Sequence, residues 1–187
     1  DLALDPDYVD AVLDRIEEDV TRGARGRLFL AHLLIPHFPY VYEADCRVAP
    51  RDLTPLWQKV KDRPLSPGSV PEVPEGLPRD RYRRYLSQVR CLSARLTSFF
   101  ASLERAGALE NSVVVVLGDH GPRIGLRRPS PGNLGSVKTV DYVDGFSTLF
   151  AARGPGIEPG LDPDPRSIAR AFAEAVGFPG PPPETDE

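Results

Sequence analysis

Gly118-Asp119-His120-Gly121 puts a carboxylate oxygen and an imidazole nitrogen on adjacent residues, with a glycine on each side to let the backbone turn tightly. Such a couple suits a divalent ion, and its mixed oxygen and nitrogen donors favour zinc or manganese over calcium or magnesium. The plain alternative is a turn in which the aspartate caps a backbone N–H and the histidine is solvated. His37 stands between Pro36 and Pro39, which restrict the backbone and hold the ring still. A fixed imidazole can donate to a phosphate or sulfate oxygen, or protonate a leaving group. It can equally be a structural histidine bonded to a backbone carbonyl. Arg123 follows the Asp-His couple closely enough to neutralise an anionic substrate with its guanidinium fork, or else lies on the surface. Arg127 and Arg128, further along the loop, read as solvated charges. His32, inside an apolar run, reads as a satisfied core histidine.

The elements that must position these groups follow from hydrophobic period. Val9, Val12, Leu13, Ile16 and Val20 recur at three- and four-residue steps, predicting an amphipathic helix over 6–20 with Asp5 as N-cap and Pro6 behind it. Gly23 and Gly26 break it. The apolar run Leu28 to Ile35 predicts a buried strand. From Pro36 to Pro78 the chain is rich in proline and polar residues, an irregular excursion with one short turn near Trp57. A long helix opens at Asp80, carries Tyr82, Tyr85, Leu86, Val89, Leu92, Leu96, Phe99, Phe100 and Leu103 as its stripe, and closes at Gly107. Ser112 to Leu117 is β-branched and predicts a central strand covered on both faces. A polar loop to about Val140, a short strand over 148–152 and a helix over 165–176 complete a single α/β domain over 1–176. Residues 177–187, rich in proline and acid, form a flexible tail. Strand, crossover helix and strand make a βαβ unit with parallel strands, whose carboxyl ends would deliver Pro36-His37 and Asp119-His120 to one crevice.

Bulk composition narrows the function. With 187 residues and 41% hydrophobic content there is material for one sizeable core. The 27 acidic and 23 basic side chains are well mixed, so no basic stripe exists to follow a nucleic-acid backbone. No apolar run reaches the roughly 20 residues a membrane span needs. A chain that starts at Asp1 and holds no methionine implies a processed product or a piece of something longer. Cys46 and Cys91 are too far apart in sequence for a C-x-x-C zinc or redox pair, which leaves a long-range disulfide or two free thiols. Free thiols would be the expectation in a reducing compartment.

In their order along the chain, four segments resemble the sulfatase-like family of the alkaline phosphatase superfamily. They are Phe29-Leu30-Ala31-His32-Leu33-Leu34-Ile35-Pro36-His37-Phe38-Pro39-Tyr40, Tyr85-Leu86-Ser87-Gln88-Val89, Leu109-Glu110-Asn111-Ser112 and Gly118-Asp119-His120-Gly121. The resemblance runs from about Arg27 to Pro155, and the ordered combination is more specific than any one motif. It implies an alkaline phosphatase-like α/β fold, a mostly parallel sheet with helices on both faces, of which this chain is the incomplete C-terminal portion. It further implies that Asp119 and His120 are metal ligands and that His37 faces the phosphate or sulfate group, with Arg123 a second candidate for that anion.

Membrane-anchored members of that family include lipoteichoic acid synthases and phosphoethanolamine transferases. By resemblance the parent protein acts outside the cytoplasmic membrane, carries a membrane segment upstream, and hydrolyses or transfers a phosphoester or sulfate ester of the cell envelope. An extracytoplasmic setting turns the cysteine alternatives towards a Cys46 to Cys91 disulfide pinning the excursion to the long helix. The departures are equally definite. The family nucleophile, with an acidic ligand beside it, belongs to an N-terminal half that has no counterpart here, and neither cysteine has the Cys-x-Pro-x-Arg context of a sulfatase nucleophile. No histidine follows His120, so one metal ion is the expectation. The competing reading is a non-catalytic module that keeps the fold to bind an envelope partner; a plainer one is an α/β domain with incidental histidines.

Overall fold

The computed structural model describes residues 6–23, 26–49, 76–125, 129, 131–160 and 168–177. Helix α1 spans Pro6–Thr21 and α2 spans Leu77–Arg105; β1 is Val114–Leu117, α3 is Thr139–Phe146, β2 is Phe150–Arg153 and α4 is Ile168–Val176. A short 3-10 turn, Leu134–Ser136, precedes α3. No helix among the described residues is long and apolar enough to cross a membrane.

The two long helices form where the 3.6-residue period places them. Gly76, at φ 83°, leads into α2. Its end is a Schellman turn: Gly107, at φ 68°, donates to the Glu104 carbonyl at 2.9 Å, and Ala108 donates to Leu103 at 2.9 Å. A glycine fits this left-handed position without steric cost, which is why the helix stops here. Against α2 lies α1. Val9 and Leu13 from α1, Cys91 from α2, and Ile35 and Tyr42 from the segment between them form one buried cluster, flanked by Leu92, Leu96 and Phe99. An Asp10 to Arg95 ion pair at 3.2 Å and a bond from the Ser102 hydroxyl to Glu17 fix the helices' mutual register.

Cys46 and Cys91 form a disulfide, with Cα atoms 4.9 Å apart. It anchors a small loop in which Tyr42 and Val48 bridge antiparallel, Glu43 donates to Arg47 and Ala49 donates to Val41. The first stretch of the supposedly irregular excursion is therefore ordered. The turn expected near Trp57 lies outside the described residues, as do Asp5, Arg127, Arg128 and the tail beyond Gly177.

Two expectations about the sheet do not hold among the described residues. The run from Leu28 to Ile35 forms no strand, and Leu28 and Leu30 are 88% and 92% exposed. Only its end is buried, where Ile35 enters the α1/α2 cluster. His32 is exposed rather than a core residue. The pairing that does form is antiparallel, β1 with β2, in the register Val114 to Arg153 through Leu117 to Phe150. Among the described residues there is no parallel βαβ unit. The reason is physical: an apolar run becomes a buried strand only when a neighbour supplies the other half of the ladder and a layer covers its face. Half-buried rather than fully buried residues make up most of β1 for the same reason. α4 lies against both strands, with Ala173 buried. Residues 139–146, at and beyond the expected end of the polar loop and assigned no element, form α3; the Asp141 carboxylate accepts the Lys138 N–H at 2.8 Å at its first turn.

Candidate functional site

The strand β1 ends at Leu117, and the next residues turn sharply across the end of α3. Gly121 donates to the Gly145 carbonyl at 3.0 Å, and Arg123 donates to the Asp144 carbonyl at 3.0 Å. The Asp144 carboxylate then accepts from Ile124 and Gly125, both at 2.8 Å. A strap running from Gly121 to Gly125 is thus sewn to one helix end. Its closeness explains a glycine at 121, since a Cβ there would collide with the Asp144 carbonyl and press on Gly145. Gly121→Ala should cost about 1–3 kcal/mol through forced backbone movement. A denaturant midpoint unchanged in that variant would mean the strap is looser than described.

His120 sits at the head of this strap with its side chain 25% exposed, and Asp119 beside it is 79% exposed. His120 Nδ1 lies 2.7 Å from the Gly121 carbonyl oxygen. A carbonyl only accepts, so Nδ1 carries the proton and Nε2 keeps a lone pair in the neutral ring. That Nε2 is 3.6 Å from Asp119 Oδ2. Zinc bonds of about 2.0–2.1 Å at a tetrahedral angle put neighbouring ligand atoms roughly 3.4 Å apart, so the spacing fits two positions of one coordination shell. Among the described residues no third histidine, cysteine or carboxylate joins them.

His37 comes from a different segment, between two cis prolyl bonds, Ile35-Pro36 and Phe38-Pro39. Its ring centroid lies 6.1 Å from that of His120, edge to face. As at His120, its Nδ1 is tied to the carbonyl of the following residue, here Phe38, and Nε2 is left for other work. The two histidines thus meet, together with Asp119, although among the described residues no parallel strands bring them together. Arg123 belongs to the strap and adopts φ 53°, a left-handed conformation that costs a non-glycine residue roughly 1–2 kcal/mol.

What brings the segments together is a set of buried polar side chains that sequence reading did not single out as functional. Arg81, 5% exposed, packs its guanidinium 5.6 Å from the Phe38 ring centre and 5.9 Å from that of Tyr40, and donates to the Arg123 carbonyl at 3.1 Å. Burial holds its pKa below the usual arginine range, partly opposed by Tyr40 and Asp144 nearby. Tyr40 donates its hydroxyl to the Pro122 carbonyl at 3.0 Å, which links the His37 segment directly to the strap. Tyr85 stacks edge-on against Tyr40, and burial raises the Tyr85 pKa as well. Gln88 holds the other end of the His37 segment through three hydrogen bonds. A signal was there: Arg81 and Gln88 fall in register with Tyr85, Leu92, Leu96 and Phe99, so they are polar residues on the inward face of an amphipathic helix.

Burial pushes the Tyr40 pKa up from 10.0 to about 12, against the pull of Arg81. The folded state therefore favours the protonated phenol. Its contribution to stability is whole below pH 10 and is lost as pH rises through about 12. Tyr40→Phe should lower stability by about 1 kcal/mol near neutral pH through the missing hydrogen bond. The gap to the unmodified protein should close between pH 10 and about 12. Urea midpoints measured on both sides of that window check it; a gap that stays constant would count against the buried phenol.

No curated protein and no solved structure matches the chain. The family description Sulfatase does, over residues 4–153, which takes in α1 as well as the segments carrying His37 and the Asp119-His120 couple. With the match extending over most of its length, the chain belongs to the sulfatase family.

Proposed function

We propose that this chain forms one wall of the active site of a metal-dependent phosphoester or sulfate-ester hydrolase or transferase. The observation that carries the reading is the meeting of His37 and His120, 6.1 Å between ring centres, from segments 83 residues apart by the difference of their numbers. Family membership supplies the ester chemistry in general terms. Asp119 and His120 would hold the ion, zinc or manganese by donor type, and residues outside the described set would complete its shell. When bound, such an ion lowers the pKa of an attacking hydroxyl and draws charge from the ester oxygens. The chain's own contribution is His37, whose Nε2 is available to hydrogen-bond a phosphoryl or sulfuryl oxygen or pass a proton to the leaving oxygen. Arg123 adds positive charge at the strap.

Three further elements belong to the proposal. The Cys46–Cys91 disulfide supports an oxidising, extracytoplasmic setting, and with it an anionic substrate of the cell envelope and a membrane segment upstream in the parent protein. The exposed apolar residues Leu28 and Leu30 support a place where further strands of a mostly parallel sheet would add. The nucleophile, too, is supplied from outside the described residues.

The test uses the intact parent protein, stripped with a chelator and reloaded with zinc, manganese, magnesium or calcium. It is assayed on aryl phosphodiesters, phosphomonoesters and sulfate esters. Turnover restored by zinc or manganese is the expected result. Tight binding of an envelope glycan or lipid headgroup with no turnover under any metal would favour a non-catalytic binding module.

A further inference from the structure

Gln88 is the largest polar side chain among the described residues to be wholly buried, at 0% exposure. It sits on α2, touches neither the Asp119-His120 couple nor the strap by any hydrogen bond described above, and spends its amide entirely on the backbone of the His37 segment. Its Oε1 accepts from Val41 at 2.9 Å and from Tyr42 at 3.2 Å, while Nε2 donates to the carbonyl of His37 itself at 2.8 Å. Backbone N–H groups can only donate and carbonyls only accept, so the orientation of the amide is fixed by its partners. Both ends of the 37–42 segment are therefore gripped by one side chain rooted in a long helix. Between those grips the His37 ring is tied to the Phe38 carbonyl.

We infer that Gln88 is a positioning residue for His37: its amide sets the height and direction at which the imidazole meets His120. An apolar residue of the same size would fill the space as well but would take these hydrogen bonds from two N–H groups and a carbonyl that are partly withdrawn from water, and the segment would have to shift to replace them. A glutamate would still accept from Val41 and Tyr42. It cannot donate to His37, and its charge would face that carbonyl oxygen at close range. The functional consequence rests on the reading of His37 proposed above, whereas the geometric consequence does not.

Gln88→Glu, Gln88→Asn and Gln88→Leu are made in the intact protein, labelled with 15N at histidine; His32, His37 and His120 are assigned by single His→Gln replacements. In Gln88→Glu the His37 imidazole signals should shift and broaden, while those of His32, exposed and five residues earlier, stay in place and the thermal transition stays cooperative. Gln88→Asn keeps the amide but is one methylene too short to grip both ends, and should move the same signals. Unmoved His37 signals in any folded variant overturn the inference. So does a Gln88→Glu protein in which all three imidazoles and the cooperative transition are lost together, since that is general packing. Gln88→Leu is the harshest variant, and if it does not fold the other two decide.

A second arm follows ester turnover in the same variants, where a misplaced imidazole should lower kcat by roughly 10- to 100-fold and leave KM within about twofold. Normal kcat with moved His37 signals overturns the catalytic consequence. If the unmodified parent turns over no ester, the proposed activity fails and the imidazole spectra alone decide the positioning role.

Discussion

Replacing Cys46 and Cys91 together by alanine is expected to lower the stability of the protein by about 4 kcal/mol, because the crosslink closes a loop of 45 residues in the unfolded chain. At this chain length that corresponds to a fall in Tm of roughly 8–16 °C. The native side of the balance changes little. Cys91 is already fully buried in the cluster with Val9, Leu13 and Tyr42, and alanine removes only one sulfur's worth of contact there. Cys46 occupies φ 65°, a conformation that a residue with a Cβ adopts reluctantly, so the loop is free to relax once released. That relaxation should also loosen the Tyr42 to Val48 bridge, which depends on the same turn. Paired chemical denaturation of the oxidised protein and the double variant measures the difference, and a change below about 0.5 kcal/mol would show that the bridge constrains nothing the rest of the fold does not already hold.

How much of this could be read without coordinates depends on whether the determining contact is local. α1 and α2 follow from apolar residues three and four apart, and the end of α2 from a glycine whose left-handed φ closes a Schellman turn; neighbours in sequence decide both. The valine run marks β1 by its β-branched residues, and β2 supplies the pairing that makes it a strand. The opposite case is Leu28 to Ile35, whose composition says strand and whose outcome depends on a partner strand that no residue within the run can supply. α3 escaped notice because eight residues carry barely two helical turns, include Gly145, and leave Val140, Val143 and Phe146 exposed, so no buried stripe marks it.

The candidate site divides along the same line. Asp119 and His120 were legible because a β-branched strand followed by Gly-Asp-His-Gly is a local pattern, and His37 because prolines bracket it. Two parallel strands ending on one rim are not what joins them among the described residues. Arg81, Gln88, Tyr40 and Asp144 join segments by side chain to backbone bonds across 19 to 82 residues, and no pattern in the chain announces a partner at that range. Polar residues on the inward face of α2 were the one available sign.

On the proposed function, removing the imidazole of His120 is expected to cost about a thousandfold in kcat/KM, or about 4 kcal/mol of transition-state stabilisation. His120→Ala should also lower the bound metal, since Nε2, which the Nδ1 bond to Gly121 keeps available, is the proposed donor. Asp119→Asn should act in the same direction. At 79% exposure its side chain supports nothing in the core, so loss of activity there cannot be ascribed to unfolding. His37→Ala should separate from both: about a hundredfold in kcat/KM with metal content unchanged, as the role proposed for His37 is to the transferred group and not to the ion. The double variant His37→Ala with His120→Ala should lose less than the product of the single losses, as two groups acting on one transition state do not contribute independently. Metal content by elemental analysis and kcat/KM on the best ester of the panel give both readings from one preparation. A His120→Ala protein with full metal and full turnover would remove the Asp-His couple from the site, and a His37→Ala protein that sheds its metal would make His37 a ligand instead.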